Sequence, residues 1–381
     1  MESKVWANSG DSHIVEPPGL FDQLPEHLRE RLPRSVKDPD GRFETIHIDG
    51  QEFRRELPTD PGRWRVTAPV PTDADPDDFI TRTINGNDPA KRLQDLDDEG
   101  VWAEVIYPGL GIWAFNIRTR DVAREGARVM NEFALGFQQH SPRYVCCATV
   151  PLVDVDDAVA EVRRAANAGF MIGFLPVKPP VGRPDWHHEE WDPLWAAFAE
   201  TGTVIGFHIG TEPFDPATRR IGVYHRGRGG AVLNYVETTY GGQRAVTQLI
   251  ACGALDRHPE LRVLVSEGGA TWGPFIADRM DEGYRQHGTA VRPTLSKLPS
   301  EFFYEQVYAS FQHDASAAAA NWAMGWKNVM WGSDYPHFEG TFGHTQKTLH
   351  ELFDGVDPAV SHRIRIGAFQ ELFPSVPPPP T

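Results

Sequence analysis

Short apolar runs of strand length, each followed by a stretch of helix-like periodicity, recur along almost the whole chain. Eight are legible, at residues 5–13, 101–107, 144–150, 170–175, 204–208, 262–267, 307–312 and 328–333. This alternation predicts parallel strands, because parallel neighbours need a crossover connection and a helix is the usual one. Several runs are apolar at nearly every position, as strands covered on both faces must be.

The intervening segments carry helix punctuation. Asp88-Pro89 supplies an N-cap and a proline at the first helical position, and Gly100 stops that helix before the second run; Asp192-Pro193 and Gly202 repeat the arrangement before the fifth. Ala158, Val162 and Ala165 share one face of residues 154–168, and Val246, Leu249, Ile250 and Cys252 make residues 244–255 amphipathic. Both segments are expected to be helices outside the sheet.

Eight βα units are what a (β/α)8 TIM barrel uses in about 250 residues, which leaves roughly 130 of the chain for insertions and tails. The expectation is a single α/β domain over residues 1–376, with insertions at about residues 21–87 and 211–242. The first contains a hairpin, residues 45–48 and 51–54 turned by Asp49-Gly50, and lies over the barrel mouth or at a subunit contact. The second follows the fifth strand and is lid-like. Its Arg219, Arg220, Arg226 and Arg228 either offer cations to a carboxylate or form a solvated loop. The Pro-rich residues 377–381 are expected to fray. A doubly wound open sheet would show the same alternation, but no G-x-G-x-x-G follows the first run.

Composition narrows the partners. A net charge of −16 disfavours nucleic acid and anionic membranes, both of which need a basic face. Cys146 and Cys147 are adjacent in an apolar run and would point to opposite sides of a strand; with Cys252 they read as reduced thiols. The first ten residues lack the basic and apolar regions of a signal peptide, and no run of 18 apolar residues occurs, so a cytoplasmic protein is expected.

Against this frame, polar residues at the C-terminal ends of apolar runs acquire meaning, because a TIM barrel builds its active site there. They are Asp11 and His13, His208, Glu267 and Asp334. Residues two apart in an extended strand point the same way, so Asp11 and His13 could present an oxygen and a nitrogen to one ion. With His208 and Asp334 they form a mixed N/O set suited to one divalent ion, Zn²⁺ first and Mn²⁺ second, with room for an activated water. Each has a plainer reading taken alone: a core histidine, a turn cap at Asp334, a helix cap at Glu267. His337, His313 and Trp272 form a second tier as substrate-binding candidates, and Trp113 and Trp331 suggest an aromatic wall.

Four motifs carry a resemblance. D-S-H-x-x-E-P at residues 11–17, F-H-I-G-T-E-P at 207–213, S-E-G-G-A-T-W-G-P at 266–274 and G-S-D-Y-P-H-F-E-G-T at 332–341 are similar to the amidohydrolase superfamily. Their nearest likeness is the amidohydrolase-related branch that includes aminocarboxymuconate-semialdehyde and resorcylate-type decarboxylases. The resemblance implies that Asp11, His13, His208 and Asp334 hold the metal and that Asp334 takes a proton from its bound water. It also implies a homodimer. One departure stands out: the decarboxylases have a histidine at the sixth strand end, often with an acidic residue three positions on, where this chain has Glu267 and Ala270. Glu267 is then an extra ligand, a general acid/base, or a residue that orients His208.

The sequence therefore predicts a metal-dependent hydrolase acting on a small cyclic or aromatic carboxylated compound, with Asp334, Glu267 and His208 as catalytic residues. The loss of the sixth-strand histidine tips this reading ahead of non-oxidative decarboxylation. A non-catalytic barrel is the third reading, and retention of all four ligand types counts against it.

Overall fold

The computed structural model describes residues 4–39, 43–56, 85–214, 225, 227–337 and 339–380. Its strands, in chain order, are β1 Ala7–Ser9, β2 Arg34–Lys37, β3 Phe43–Ile48, β4 Gln51–Glu56, β5 Val101–Ile106, β6 Tyr144–Thr149, β7 Ile172–Pro176, β8 Val204–His208, β9 Val263–Ser266, β10 Val307–Phe311 and β11 Val329–Trp331. Eight of them form a parallel sheet in the order β1-β5-β6-β7-β8-β9-β10-β11. The two ends of this sheet meet: Gly10 N–H donates to Trp331 O at 2.8 Å and Asp334 N–H to Asp11 O at 3.0 Å. The result is the expected (β/α)8 barrel, with helices Pro89–Glu99, Arg120–Gln138, Val155–Ala168, Asp192–Thr201, Tyr240–Ala251 and Trp272–Gln286 among its crossovers.

The barrel strands are covered on both faces. Every residue of β6, β7, β8, β9, β10 and β11 is buried, which is why their sequences read as continuous apolar runs rather than alternating ones. Cys146 and Cys147 are free thiols inside β6, and Cys252 is also free.

Helix punctuation works as expected at Asp88, whose carboxylate accepts Ala90 and Lys91 N–H; Asp154, at the start of the helix expected over 154–168, also caps, accepting Asp156 and Asp157 N–H. At Asp192 it does not. Asp192 is the first helical residue instead of the cap, and its carboxylate pairs with Arg257 at 2.5 Å. The helix expected over residues 244–255 begins at Tyr240 and breaks after Ala251, because Gly253 turns the chain at φ +75° into a second short helix, Ala254–Arg257.

The first run, expected to be strand to residue 13, leaves regular geometry after Ser9. Residues 11–13 are instead stitched singly to both neighbours. His13 N–H donates to Tyr335 O at 2.7 Å, Tyr107 N–H to Ser12 O at 2.8 Å and Ile14 N–H to Tyr107 O at 2.9 Å. Side chains here are fixed by both flanking strand ends rather than by one ladder.

The Asp49-Gly50 hairpin forms between β3 and β4, with both turn residues at positive φ, and β2 adds a third antiparallel strand. Its Ile46, Ile48 and Phe53 pack on Ala114, Ile117, Val122 and Phe214, residues that follow β5 and β8. The insertion therefore sits on the C-terminal side of the barrel. Helix Gly230–Thr238 occupies the later insertion; Arg219, Arg220 and Arg226 lie outside the described residues. The Pro-rich tail is anchored at its start, since Trp102 Nε1 donates to Pro377 O at 2.7 Å.

Candidate metal centre

The barrel brings the strand-end residues together. Ligand atoms of Asp11, His13, His208 and Glu267 lie within 4.8 Å of one another, and so do those of His13, Asp334 and His337, and of Glu267, Asp334 and Glu339. His208 Nε2 faces His13 Nε2 at 3.1 Å and Asp11 Oδ1 at 3.4 Å. His13 Nε2 is 3.4 Å from Asp334 Oδ1, and Glu267 Oε2 is 3.5 Å from His208 Nε2.

Backbone geometry aims these groups. Glu267 and Asp334 both stand in the left-handed region, at φ +59° and +54°, a conformation that costs energy for a residue with a Cβ. Each comes directly or shortly after the last strand residue, so the turn swings its carboxylate over the barrel axis. The Glu267 turn is held by its N–H donating to Ser310 Oγ at 3.1 Å. His208 Nδ1 lies 2.9 Å from Ile209 O, which makes Nδ1 a donor to that carbonyl and turns Nε2 toward the centre.

Electrostatics divides the carboxyl groups. Burial pushes Asp11 up, partly offset by His208. Burial also pushes Glu267 well above the carboxylate range, and repulsion from Asp334 and Asp11 adds to it. For Asp334 burial acts upward too, but the charge of His337 and the nearness of His13 outweigh it and hold the group below its ordinary value. Burial drives His13 down to about 3. It acts downward on His208 and His337 as well, yet Asp11 outweighs it for His208, and Asp334, whose Oδ1 is 2.8 Å from His337 Nδ1, lifts His337 to about 9.

Whether this set suits a cation can be judged from its buried atoms. Asp11 and Asp334 are fully buried; Asp334 Oδ1 has His337 Nδ1 at 2.8 Å, whereas the nearest ring nitrogen to Asp11 Oδ1 is His208 Nε2 at 3.4 Å. Two imidazole nitrogens meet in the same space. Buried anionic oxygens without donors are costly unless a positive charge satisfies them. Asp11, His13 and His208, with Glu267 beside His208 and Asp334 beside His13, could hold a divalent ion, and a mixed N/O donor set suits Zn²⁺ or Mn²⁺.

The second-tier residues divide. His337 joins the centre, stacked on His13 with ring centroids 4.0 Å apart. His313 is exposed and stacks on His344. Trp272 is turned into the packing of Trp326 and Phe303, at 5.5 and 5.7 Å, and its Nε1 donates to Gly269 O. It braces the loop of Glu267 instead of presenting an aromatic face to the centre. Trp331 is fully buried within β11, and Trp113 packs edge-on against Phe53.

Comparison with known proteins bears on this arrangement. A family model described as "Amidohydrolase" matches residues 109–368. The chain belongs to the amidohydrolase family. It is accordingly an enzyme of the metal-dependent hydrolase or carboxy-lyase class. Among curated proteins, Decarboxylase yanB of Aspergillus niger is 22% identical over 255 residues, 65% of this chain and 68% of that protein. Among solved structures, an amidohydrolase from Mycobacterium avium subsp. paratuberculosis K-10 superposes with a TM-score of 0.74 at 18% identity, covering 97% of this chain and 98% of the other. A 5-carboxyvanillate decarboxylase from Novosphingobium aromaticivorans DSM 12444, solved with manganese and 4-hydroxy-3-methoxy-5-nitrobenzoic acid, gives 0.68 at 17% identity, covering 98% and 97%.

Three supporting residues of this amidohydrolase escaped the sequence reading. Arg92 and Glu104, both with fully buried side chains, pair at 2.5 Å, and Arg92 donates to Ser12 Oγ at 3.0 Å and His13 O at 2.8 Å. The signal was a lone acid in an apolar strand and an arginine on the buried face of helix Pro89–Glu99. Glu16, the acid of D-S-H-x-x-E-P, accepts N–H groups of Gly109, Leu110 and Gly111 at 3.1, 2.7 and 3.1 Å and so ties residues 11–16 to the loop after β5.

Proposed function

We propose that this amidohydrolase is a metal-dependent, non-oxidative decarboxylase of a small aromatic acid. The observation that carries the reading is Glu267: a largely buried carboxyl just past a strand end, 3.5 Å from His208 Nε2, pushed well above its ordinary value by burial and by Asp334 and Asp11. Its place is where the decarboxylases have histidine, and the sequence reading treated that change as loss of a proton donor. A neutral carboxyl is itself a donor, which removes the ground for ranking hydrolysis first. The decarboxylases among the relatives and structural neighbours support the same direction.

Asp11, His13, His208 and Asp334 would hold the ion, Zn²⁺ or Mn²⁺. When bound, it supplies Lewis-acid chemistry, drawing electron density from substrate oxygens. Glu267 hands its proton to the ring carbon that carries the carboxylate. The bond between that carbon and the carboxylate carbon then breaks, its electron pair restores the ring, and CO₂ leaves; Glu267 regains a proton from solvent. His337, cationic beside Asp334, presents positive charge at the mouth to an acid substrate. The exposed Val232, Leu233 and Val236 on helix Gly230–Thr238 support the expected homodimer. No helix among the described residues is long and apolar enough to cross a membrane.

The test is a panel of hydroxylated aromatic acids, lactones and amides offered to the manganese-loaded protein. Release of CO₂ in step with loss of one acid is expected. Hydrolysis of a lactone or amide, with no CO₂ from any acid, would restore the hydrolase reading.

A further inference from the structure

We propose that Gln312 is a substrate-recognition residue whose side-chain amide takes an oxygen substituent on the substrate ring; this rests on the aromatic-acid reading above. Gln312 follows β10 and is only 6% exposed, yet its Nε2 has no hydrogen-bond partner among the described residues. A buried amide left without a partner is costly, and an oxygen of a bound ligand would satisfy it.

Its placement follows from Ser310. A Cβ placed on Gly10 would lie 3.0 Å from Ser310 Cβ, although β11 stands between β1 and β10 in the sheet. Contact between non-adjacent strands is possible only through the barrel interior, so Ser310 faces inward. Ser310 Oγ also accepts the N–H of Glu267. Gln312 comes two residues after Ser310, in the bend that directly follows β10 at the end of the barrel where strand-end residues gather. Backbone pairing reaches the residue before it, since Gly332 N–H donates to Phe311 O at 2.9 Å.

The chemistry of the mouth explains why a neutral amide would be used. Asp11, Glu267 and Asp334 already crowd the centre with carboxyl groups, and a hydroxyl or phenolate oxygen needs a donor that adds no further anion. An amide also accepts, so a ring hydroxyl can bond in either sense. Gln312 thereby favours oxygen-substituted rings over bare ones.

The experiment compares the manganese-loaded wild-type chain with Gln312→Leu, using 2-nitroresorcinol and nitrobenzene as unreactive probes in titration calorimetry, and thermal denaturation without probe. The variant should bind 2-nitroresorcinol roughly tenfold more weakly, bind nitrobenzene within about twofold of wild type, and melt at a higher temperature. Equal loss for both probes, no loss for either, or a lowered melting temperature would overturn the assignment of Gln312 and leave the aromatic-acid reading standing. Failure of metal-loaded wild type to bind 2-nitroresorcinol would overturn that reading and the assignment together.

Discussion

His13 and His208, 195 residues apart in the chain, face each other nitrogen to nitrogen at 3.1 Å. At that distance one of the two nitrogens must carry a proton toward the other, or a cation must lie beside both. Asp11 Oδ1, 3.4 Å from His208 Nε2, adds a negative charge to the same space. Replacing either imidazole, as His13→Ala or His208→Ala, should reduce bound Mn²⁺ from about one ion per chain to near zero. Elemental analysis after gel filtration measures it; a full equivalent in both variants would mean that the ion binds elsewhere.

Metal uptake should depend on pH in a fixed sense. Asp11 raises His208 above its ordinary value, so in the bare protein His208 tends to hold the proton that a ligand nitrogen must give up. The same burial that raises Asp11 and Glu267 favours their protonated forms. Affinity therefore rises with pH, and binding releases about one proton or more near neutrality. Calorimetric titration in two buffers of different ionisation enthalpy counts the protons; a count of zero, with affinity flat from acid to neutral pH, would contradict the assignment.

Glu267→Gln separates holding the metal from moving the proton. Glutamine keeps the shape but cannot deliver a proton to carbon, so turnover should fall by roughly 10²–10⁴-fold while the bound ion remains. Steady-state CO₂ release and metal analysis on one preparation check both halves. Loss of the ion with the activity would instead make Glu267 a ligand.

The buried Arg92–Glu104 pair carries both stability and placement. Arg92→Met leaves Glu104 as an uncompensated buried charge and should cost roughly 3–5 kcal/mol. The double variant with Glu104→Gln should recover much of that stability in chemical denaturation. It should not recover the metal affinity, because Ser12 Oγ and His13 O still lack the donor that Arg92 supplies.

Gly332 tests the closeness of β11 to Asp11. A Cβ there would lie 3.0 Å from Asp11 Cβ, tighter than ordinary contact. Gly332→Ala should move Asp11 by a few tenths of an ångström and weaken Mn²⁺ binding about tenfold, with a stability loss of about 1–3 kcal/mol. Unchanged affinity would show that Asp11 is not a tightly placed ligand.

Much of this arrangement was legible in the sequence. Continuous apolar runs marked all eight barrel strands, and polar residues at their ends marked Asp11, His13, His208, Glu267 and Asp334. His337, a substrate-binding candidate in the sequence, stands against Asp334 and His13. What could not be read was orientation. Nothing local in Trp272 distinguishes a pocket wall from a brace beneath Gly268-Gly269, because its partners Phe303 and Trp326 come from later helices and loops. The upward push on Glu267 was equally hidden, since it depends on burial and on the charges of Asp334 and Asp11, which only barrel closure brings near. Arg92 and Glu104 could have been suspected from charge placed at apolar positions, but their joint hold on residues 12 and 13 is a tertiary fact.

The central claim is that four strand-end side chains hold one divalent ion. Crystals of the manganese-loaded protein, with data collected to either side of the manganese absorption edge, test it most directly. One anomalous peak in contact with Asp11, His13, His208 and Asp334 is the predicted result. A peak elsewhere on the protein, or none at the barrel mouth under loading conditions, would contradict it.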